Sequence, residues 1–133
     1  MRYLLDTDTF SALARGLNPQ ILARAEQAGL EAMAVSVVTE GEVRYGLAHK
    51  PVPPTTLHRI EAWLAQLQRL PLTHTVIAPY AELRAHLRRL GKPIGSNDLW
   101  IASHALAEGR VLVTGNVREF GRVPGLDVEN WLR

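Results

Sequence analysis

Short apolar runs alternate along this chain with longer segments whose apolar residues recur at helical spacing. The pattern predicts buried strands at 2–5, 32–36 and 111–114, and a short final strand within 123–133. It predicts helices at 10–17, 21–28, 37–49, 57–70, 76–90 and 98–108, several of them closed by glycine. Because strands separated by helices are typical of parallel sheets, the pattern indicates an α/β fold whose central, mostly parallel sheet is covered on both faces.

Polar side chains follow the predicted strands at positions where catalytic and binding residues are common. Asp6 comes directly after the first strand, and Asn116 follows the strand at 111–114 after Thr114 and one glycine. Glu42 lies early in the helix after the second strand, and Asp98 opens the helix that leads into the last major strand. Sites in parallel α/β sheets form outside the carboxyl ends of the strands. We therefore expect Asp6, Glu42, Asp98 and Asn116 to lie at one edge of the sheet.

Each of these residues also has an ordinary structural interpretation. Asp6 and Asn116 could be turn residues after a strand. Thr39 and Glu42 have the spacing of a capping box, in which the glutamate folds back onto the cap amide. Asp98 could complement a helix dipole, although it heads an apolar helical stripe and so is expected to point inward.

If three carboxylates converge, a cation must compensate their charge, because like charges at close range otherwise force protonation. Carboxylate oxygens favour a hard cation, Mg²⁺ or Mn²⁺, over zinc. Such an ion activates water and neutralises charge on a phosphoryl group, so this set of residues suggests phosphodiester hydrolysis.

Composition narrows the class of protein. A length of 133 residues, with 47% hydrophobic and 21% charged, suits one globular domain spanning 1–133. There is no cysteine, which excludes disulfides and cysteine–zinc sites. The sequence shows no signal peptide or membrane span, so we expect a cytoplasmic protein. The net charge is +2, and burying three acids in one site would leave a cationic surface suited to a polyanionic partner.

Four segments in order resemble the PIN-domain ribonucleases, specifically the VapC-type toxins of type II toxin–antitoxin pairs. LLDTDTFS resembles the family's opening LLDTN-x-x-S, and SVVTEGEVRYG resembles S-x-[IV]-T-x-x-E-L-x-x-G. GSNDLWIASHA resembles the stretch with D-x-x-I-A-x-x-A. VLVTGNVREFGRVPGLDVENW resembles L-V-T-x-[DN]-x-x-x-F-x-x-I-x-G-L-x-x-E-x-W. Together they cover nearly the whole chain.

This resemblance implies a three-layer α/β/α sandwich and endonucleolytic cleavage of RNA that depends on Mg²⁺ or Mn²⁺. It places Asp6, Glu42 and Asp98 at the metal-binding acids, and Asn116 where many relatives have a fourth acid. An amide there removes one negative charge and leaves open whether one or two metals bind. The resemblance also implies a tRNA substrate, with initiator tRNA favoured, a cognate VapB-like antitoxin, and a homodimer.

Other residues have supporting interpretations. Thr114 could hydrogen-bond a ligand or water, or serve only the turn. Asp8, usually Asn in the family, is interpreted as the cap of the following helix, with direct metal ligation as the alternative. Arg84, Arg88, Arg89 and Lys92 form a possible phosphate-contacting track or an ordinary solvated face. His104, within an apolar helix, is interpreted as structural.

Three other functions compete with the nuclease hypothesis. LLDTDTF approximates the motif of the haloacid-dehalogenase phosphatases, in which Asp6 would be the nucleophile and Asp8 the general acid. Ser36 ends the second strand, where that chemistry needs a hydroxyl. Phe10 breaks that motif, and neither Lys50 nor Lys92 is well placed to bind the phosphate.

A receiver-type phosphoacceptor would need a lysine after its last strand, and residues 111–133 contain none. The third possibility is a catalytically inert PIN-like module that binds RNA or protein.

Overall fold

The computed structural model describes residues 1–132 and has a five-stranded sheet at its centre. The strands are β1 (Tyr3–Leu5), β2 (Met33–Ser36), β3 (Gln68–Leu70), β4 (Val111–Val113) and β5 (Val128–Glu129). Their order across the sheet is β3-β2-β1-β4-β5, and every pair is parallel. All five carboxyl ends therefore meet at one edge, which confirms the predicted sheet.

Within residues 1–132, seven α-helices connect the strands. They are α1 (Thr7–Arg15), α2 (Pro19–Ala28), α3 (Val37–His49), α4 (Pro54–Gln66), α5 (Ile77–Arg89), α6 (Ser96–Glu108) and α7 (Val117–Phe120). Single 3₁₀ turns, Leu30–Ala32 and His74–Val76, precede β2 and α5. None of the helices formed by residues 1–132 combines the length and apolar character that crossing a membrane requires.

Successive side chains along the central strands point to opposite faces of the sheet, which divides the hydrophobic core into two halves. Leu5 and its neighbours at the same register face a cluster built from α1, α2, α3 and α4. Leu4 and its register partners face the opposite cluster, formed mainly by α5 and α6. Both leucines are completely buried. The sheet is thus covered on both faces, and the predicted three-layer α/β/α sandwich is confirmed.

The predicted helix at 57–70 is wrong in its last turn. Helix α4 begins earlier, at Pro54, and ends at Gln66, because Leu67 takes an extended conformation with φ −83° and ψ 150°. Gln68–Leu70 then pairs with β2 as an edge strand. Gln68 and Arg69 are exposed, so this strand lacks the apolar run that revealed the others.

Helices follow the first two strands with almost no loop. Only Asp6 separates β1 from α1, and α3 begins at the residue after Ser36, the last residue of β2. Side chains at the starts of α1 and α3 therefore lie at the carboxyl edge of the sheet, and this short connection positions the candidate site.

Candidate active site

A cleft of about 170 Å³ lies at the carboxyl ends of the strands and holds all four polar residues expected there. It is lined by Asp6, Thr7, Asp8, Glu42, Asp98, Asn116 and Phe120. The acids come from the end of β1, from α3 and from the first turn of α6, which are separate segments of the chain. The fold therefore brings together side chains that are far apart in sequence.

Asp6 is held rigidly between the sheet and α1. Its amide donates to the Val113 carbonyl of β4 at 3.0 Å, and its Oδ1 accepts from the Thr9 amide at 2.9 Å as the N-cap of α1. Burial raises the pKa of Asp6, while hydrogen bonds from Thr114 and Thr9 oppose that rise. Asp6 is only 6% exposed, so its ionised form depends on these donors and on any cation.

Thr114 links the β4 end to the cleft. It is fully buried, and its Oγ1 accepts from the Asn116 amide at 2.9 Å, which leaves its proton for the Asp6 carboxylate. The hydroxyl thus serves the turn and also orients an acid of the cleft.

Glu42 is held by a residue that the sequence did not single out. Thr7 Oγ1 donates to Glu42 Oε1 at 2.5 Å and lies 3.1 Å from Thr39 Oγ1. Because the one Thr7 proton goes to the carboxylate, the Thr39 hydroxyl must donate to Thr7. The capping-box interpretation of Thr39 and Glu42 is therefore wrong, since Ser36 caps α3 by accepting from the Val38 amide at 3.1 Å.

Asp8 does not cap a helix, so that prediction is also wrong. The cap of α1 is Asp6, and Asp8 is an exposed acid in the first helical turn. Its carboxylate still faces the cleft and contributes to the raised pKa values of Asp6 and Asp98.

Asp98 is the acid of the cleft whose pKa is affected by the most neighbouring negative charges. Its pKa is raised to about 6, first by burial and then by the charges of Glu119, Asp6, Glu42 and Asp8. At pH 7 most of this carboxyl is still ionised, and a bound cation would offset the cost of burying that charge beside other acids.

Glu119 is the second residue that the sequence analysis missed. Asn116 caps α7, accepting from the Glu119 amide at 3.3 Å and donating from Nδ2 to Glu119 Oε2 at 2.8 Å. The Asn116-x-x-Glu119 spacing, which resembles a capping box, could have indicated this pairing. A carboxylate is thus present beside Asp98 even though position 116 is an amide.

The donor set of the cleft fits a hard divalent cation. Every candidate ligand is an oxygen, and neighbouring acids raise the pKa of Asp98 and of Asp6, an effect that a cation would reverse. Within residues 1–132, no group of three acidic or histidine side chains already converges closely enough to form a metal cage.

The predicted basic track lies beside this cleft rather than in it. Arg84, Arg88, Arg89 and Lys92 are all exposed at the C-terminal end of α5 and the turn after it. Arg84 and Arg88 line a separate cavity of about 330 Å³ with Ser96, two residues before Asp98. The Arg84 guanidinium also donates to the Tyr80 hydroxyl at 2.8 Å.

Comparison with known proteins identifies the family. Residues 3–126 match the PIN domain family model, and the chain is 38% identical to Ribonuclease VapC2 of Haemophilus influenzae over 99% of both chains. The chain belongs to the PIN-domain family, in its VapC branch. This PIN domain is also 31% identical to the tRNA(fMet)-specific endonuclease VapC of Salmonella typhimurium, over 98% of both chains.

A solved structure extends the similarity to three dimensions. VapBC2 from Rickettsia felis, bound to a DNA fragment from its promoter, matches this PIN domain with a TM-score of 0.90 and 32% identity, covering 98% of this chain and 99% of the other. The resemblance seen in four sequence segments is thus confirmed, and the phosphatase and receiver hypotheses are wrong.

Proposed function

We propose that residues 1–133 form a single ribonuclease domain that hydrolyses RNA phosphodiesters with a divalent metal and acts as the toxin of a toxin–antitoxin pair. The observation that supports this proposal most directly is the cleft that Asp6, Glu42 and Asp98 line together at the strand ends. The ribonuclease names of relatives that cover almost the whole chain support it.

In this proposal Asp6, Glu42 and Asp98 hold Mg²⁺ or Mn²⁺, and Glu119 adds negative charge beside Asp98. When bound, the metal lowers the pKa of water and neutralises charge on the phosphoryl group. Asn116 contributes by capping α7 and holding Glu119, rather than by supplying a fourth anionic ligand.

Threonine side chains of this domain orient the acids of the cleft before the reaction. Thr9 and Thr114 orient the Asp6 carboxylate, and Thr7 orients that of Glu42. Preorganised donors of this kind reduce the reorganisation needed during reaction.

The proposed substrate is a structured RNA, with tRNA and in particular initiator tRNA favoured. The support is the Salmonella relative named a tRNA(fMet)-specific endonuclease. Arg84, Arg88, Arg89 and Lys92 are proposed to contact RNA phosphates, since all four are exposed and two of them, Arg84 and Arg88, line a cavity with Ser96 at the start of α6.

We propose a VapB-like antitoxin as the protein partner and a homodimer as the assembly, both acting in the cytoplasm. The solved VapBC2 complex from Rickettsia felis supports an antitoxin partner. The homodimer rests on the resemblance to VapC-type toxins.

Incubation of the purified chain with total tRNA and with unstructured RNA, followed by mapping of the RNA ends, tests the proposal. We expect discrete cuts in tRNA with Mn²⁺ or Mg²⁺ and none after EDTA treatment. Cleavage that persists in EDTA would contradict the metal site. RNA binding without cleavage under any divalent metal would instead favour the inert PIN-like module.

Removal of the Thr7 hydroxyl should slow cleavage and also lower the free energy of unfolding. Thr7→Val keeps the shape but leaves Glu42 without its donor, and a hydrogen bond to a charged group contributes roughly 1.5–3 kcal/mol. We expect a loss of about tenfold in cleavage rate, measured alongside urea unfolding. Thr7→Ser is the matched control and should retain activity; equal loss in both variants would contradict the role of the hydroxyl.

A further inference from the structure

A buried histidine and a buried serine connect the two helices that carry Glu42 and Asp98. His104 of α6 is 1% exposed and Ser36 at the end of β2 is fully buried. His104 Nδ1 lies 2.8 Å from Ser36 Oγ. This contact lies outside the acid cleft and has no part in the chemistry described above.

The surrounding contacts favour the arrangement of protons in which Ser36 donates to His104. Ser36 Oγ accepts from the Val38 amide at 3.1 Å, so its single proton is free to go to His104 Nδ1. A neutral imidazole then carries its proton on Nε2, which can donate to the Pro71 carbonyl. Burial lowers the pKa of His104, in agreement with the neutral form.

These bonds join elements that carry the acids. Ser36 caps α3, whose second turn holds Glu42, and Pro71 follows β3 directly. His104 lies on α6, six residues after Asp98. One imidazole therefore ties α6 both to the start of α3 and to the end of the edge strand.

We propose that His104 is a positioning residue that acts through the Ser36 cap. By fixing the start of α3 against α6, it keeps the Glu42 and Asp98 carboxylates at the spacing that joint metal binding requires. This inference rests on the proposed metal-dependent function. A buried polar ring in an apolar helix is costly unless its hydrogen bonds are made, and the bond between His104 Nδ1 and Ser36 meets part of that requirement.

Two substitutions separate the two bonds of His104. In His104→Asn an amide oxygen can replace Nδ1 and keep the Ser36 bond, whereas in His104→Gln an amide NH₂ can replace Nε2 and keep only the Pro71 bond. Ser103→Ala is the matched control, because the fully buried Ser103 hydroxyl bonds only to the Leu99 carbonyl of its own helix at 2.7 Å.

The primary measurement is Mn²⁺ affinity by calorimetry, with urea unfolding of each metal-free variant measured in parallel. We expect His104→Gln and Ser36→Ala to bind Mn²⁺ about tenfold more weakly, as is typical when the support of a metal ligand is lost. His104→Asn and Ser103→Ala should bind within about twofold of the wild type. Combining Ser36→Ala with His104→Gln should weaken binding no further than Ser36→Ala alone.

Amide hydrogen exchange at Val38 in the metal-free protein provides a second readout. Exchange should be faster in His104→Gln than in His104→Asn or Ser103→Ala, because only the first loosens the cap. If the wild type binds no Mn²⁺, the proposed metal site fails, and Val38 exchange alone then decides whether His104 holds the cap.

Several outcomes would overturn the positioning role. Wild-type Mn²⁺ affinity in a destabilised His104→Gln variant would make the histidine purely structural. Equal affinity losses in His104→Asn and His104→Gln would remove the link through Ser36. If His104→Gln does not fold, the proposal is tested by comparing the Mn²⁺ affinity of Ser36→Ala with that of Ser103→Ala. Equal affinities in that pair would overturn the proposal.

Discussion

Asp98→Asn is expected to abolish RNA cleavage and, at neutral pH, to raise the stability of the metal-free protein. The loss should be at least about 10³-fold, since a metal supplies several kcal/mol of charge stabilisation and each 1.4 kcal/mol is a factor of ten. The stability gain follows from the raised pKa of this carboxyl, whose charge is disfavoured in the folded cleft by burial and by neighbouring acids.

The sign of the stability effect depends on pH. The folded pKa of Asp98 is about 6 and its ordinary value is 3.8, so the folded protein holds the proton more tightly than the unfolded chain. The wild type therefore loses stability as the pH rises from about 4 to about 6, and the neutral Asn does not. The advantage of Asp98→Asn should shrink as the pH is lowered toward 4.

Urea unfolding with EDTA, together with an RNA-cleavage assay in Mn²⁺, measures both effects. Asp6→Asn should also lose cleavage, although it retains an oxygen that can cap α1. Asp127→Asn is the control, because Asp127 is exposed and does not line the cleft. Cleavage that survives both Asp6→Asn and Asp98→Asn would exclude the proposed site, whatever the stabilities.

The positions of the acids could be predicted because they depend on topology rather than on detailed contacts. Once strands and helices alternate, the carboxyl ends of parallel strands must share an edge. Asp6, Glu42, Asp98 and Asn116 each follow a strand or open the helix that leads to one. The cleft therefore contains all four, even though the edge strand β3 was missed and its residues were assigned to a helix.

The two errors in helix capping arose where a helix follows its strand almost directly. The first predicted helix began at Phe10 and left residues 6–9 as a turn, whereas α1 begins at Thr7. The predicted helix at 37–49 matches α3, but Thr39, taken as its cap, lies inside the helix. The caps therefore fall at Asp6 and Ser36 rather than at Asp8 and Thr39. Amphipathic spacing defines a helical face well but does not define the first residue of a helix.

The supporting residues could not be predicted because their roles depend on contacts between distant segments. Thr7 and Glu42 are 35 positions apart, and Ser36 and His104 are 68 apart. Their sequence surroundings are those of a helix start and an apolar helix, which gives no indication of a partner. Only Glu119, three residues after Asn116, had a local spacing that could have revealed it.

Metal affinity should fall steeply in mild acid. With an Asp98 pKa of about 6, roughly nine-tenths of this carboxyl is ionised at pH 7 and one-tenth at pH 5, so Mn²⁺ affinity should drop about tenfold between them. The raised pKa of Asp6 acts in the same direction. Binding near pH 6 should also release protons, since the metal displaces them from the cleft.

Calorimetric titration of the protein with Mn²⁺ at several pH values, in two buffers of different ionisation enthalpy, measures affinity and proton release together. Asp98→Asn should bind more weakly at pH 7 and show a flatter pH profile, because the group that titrates near 6 is gone. Asp127→Asn should reproduce the wild-type profile. An affinity that stays constant from pH 5 to pH 7 would show that Asp98 does not compete with protons for the metal.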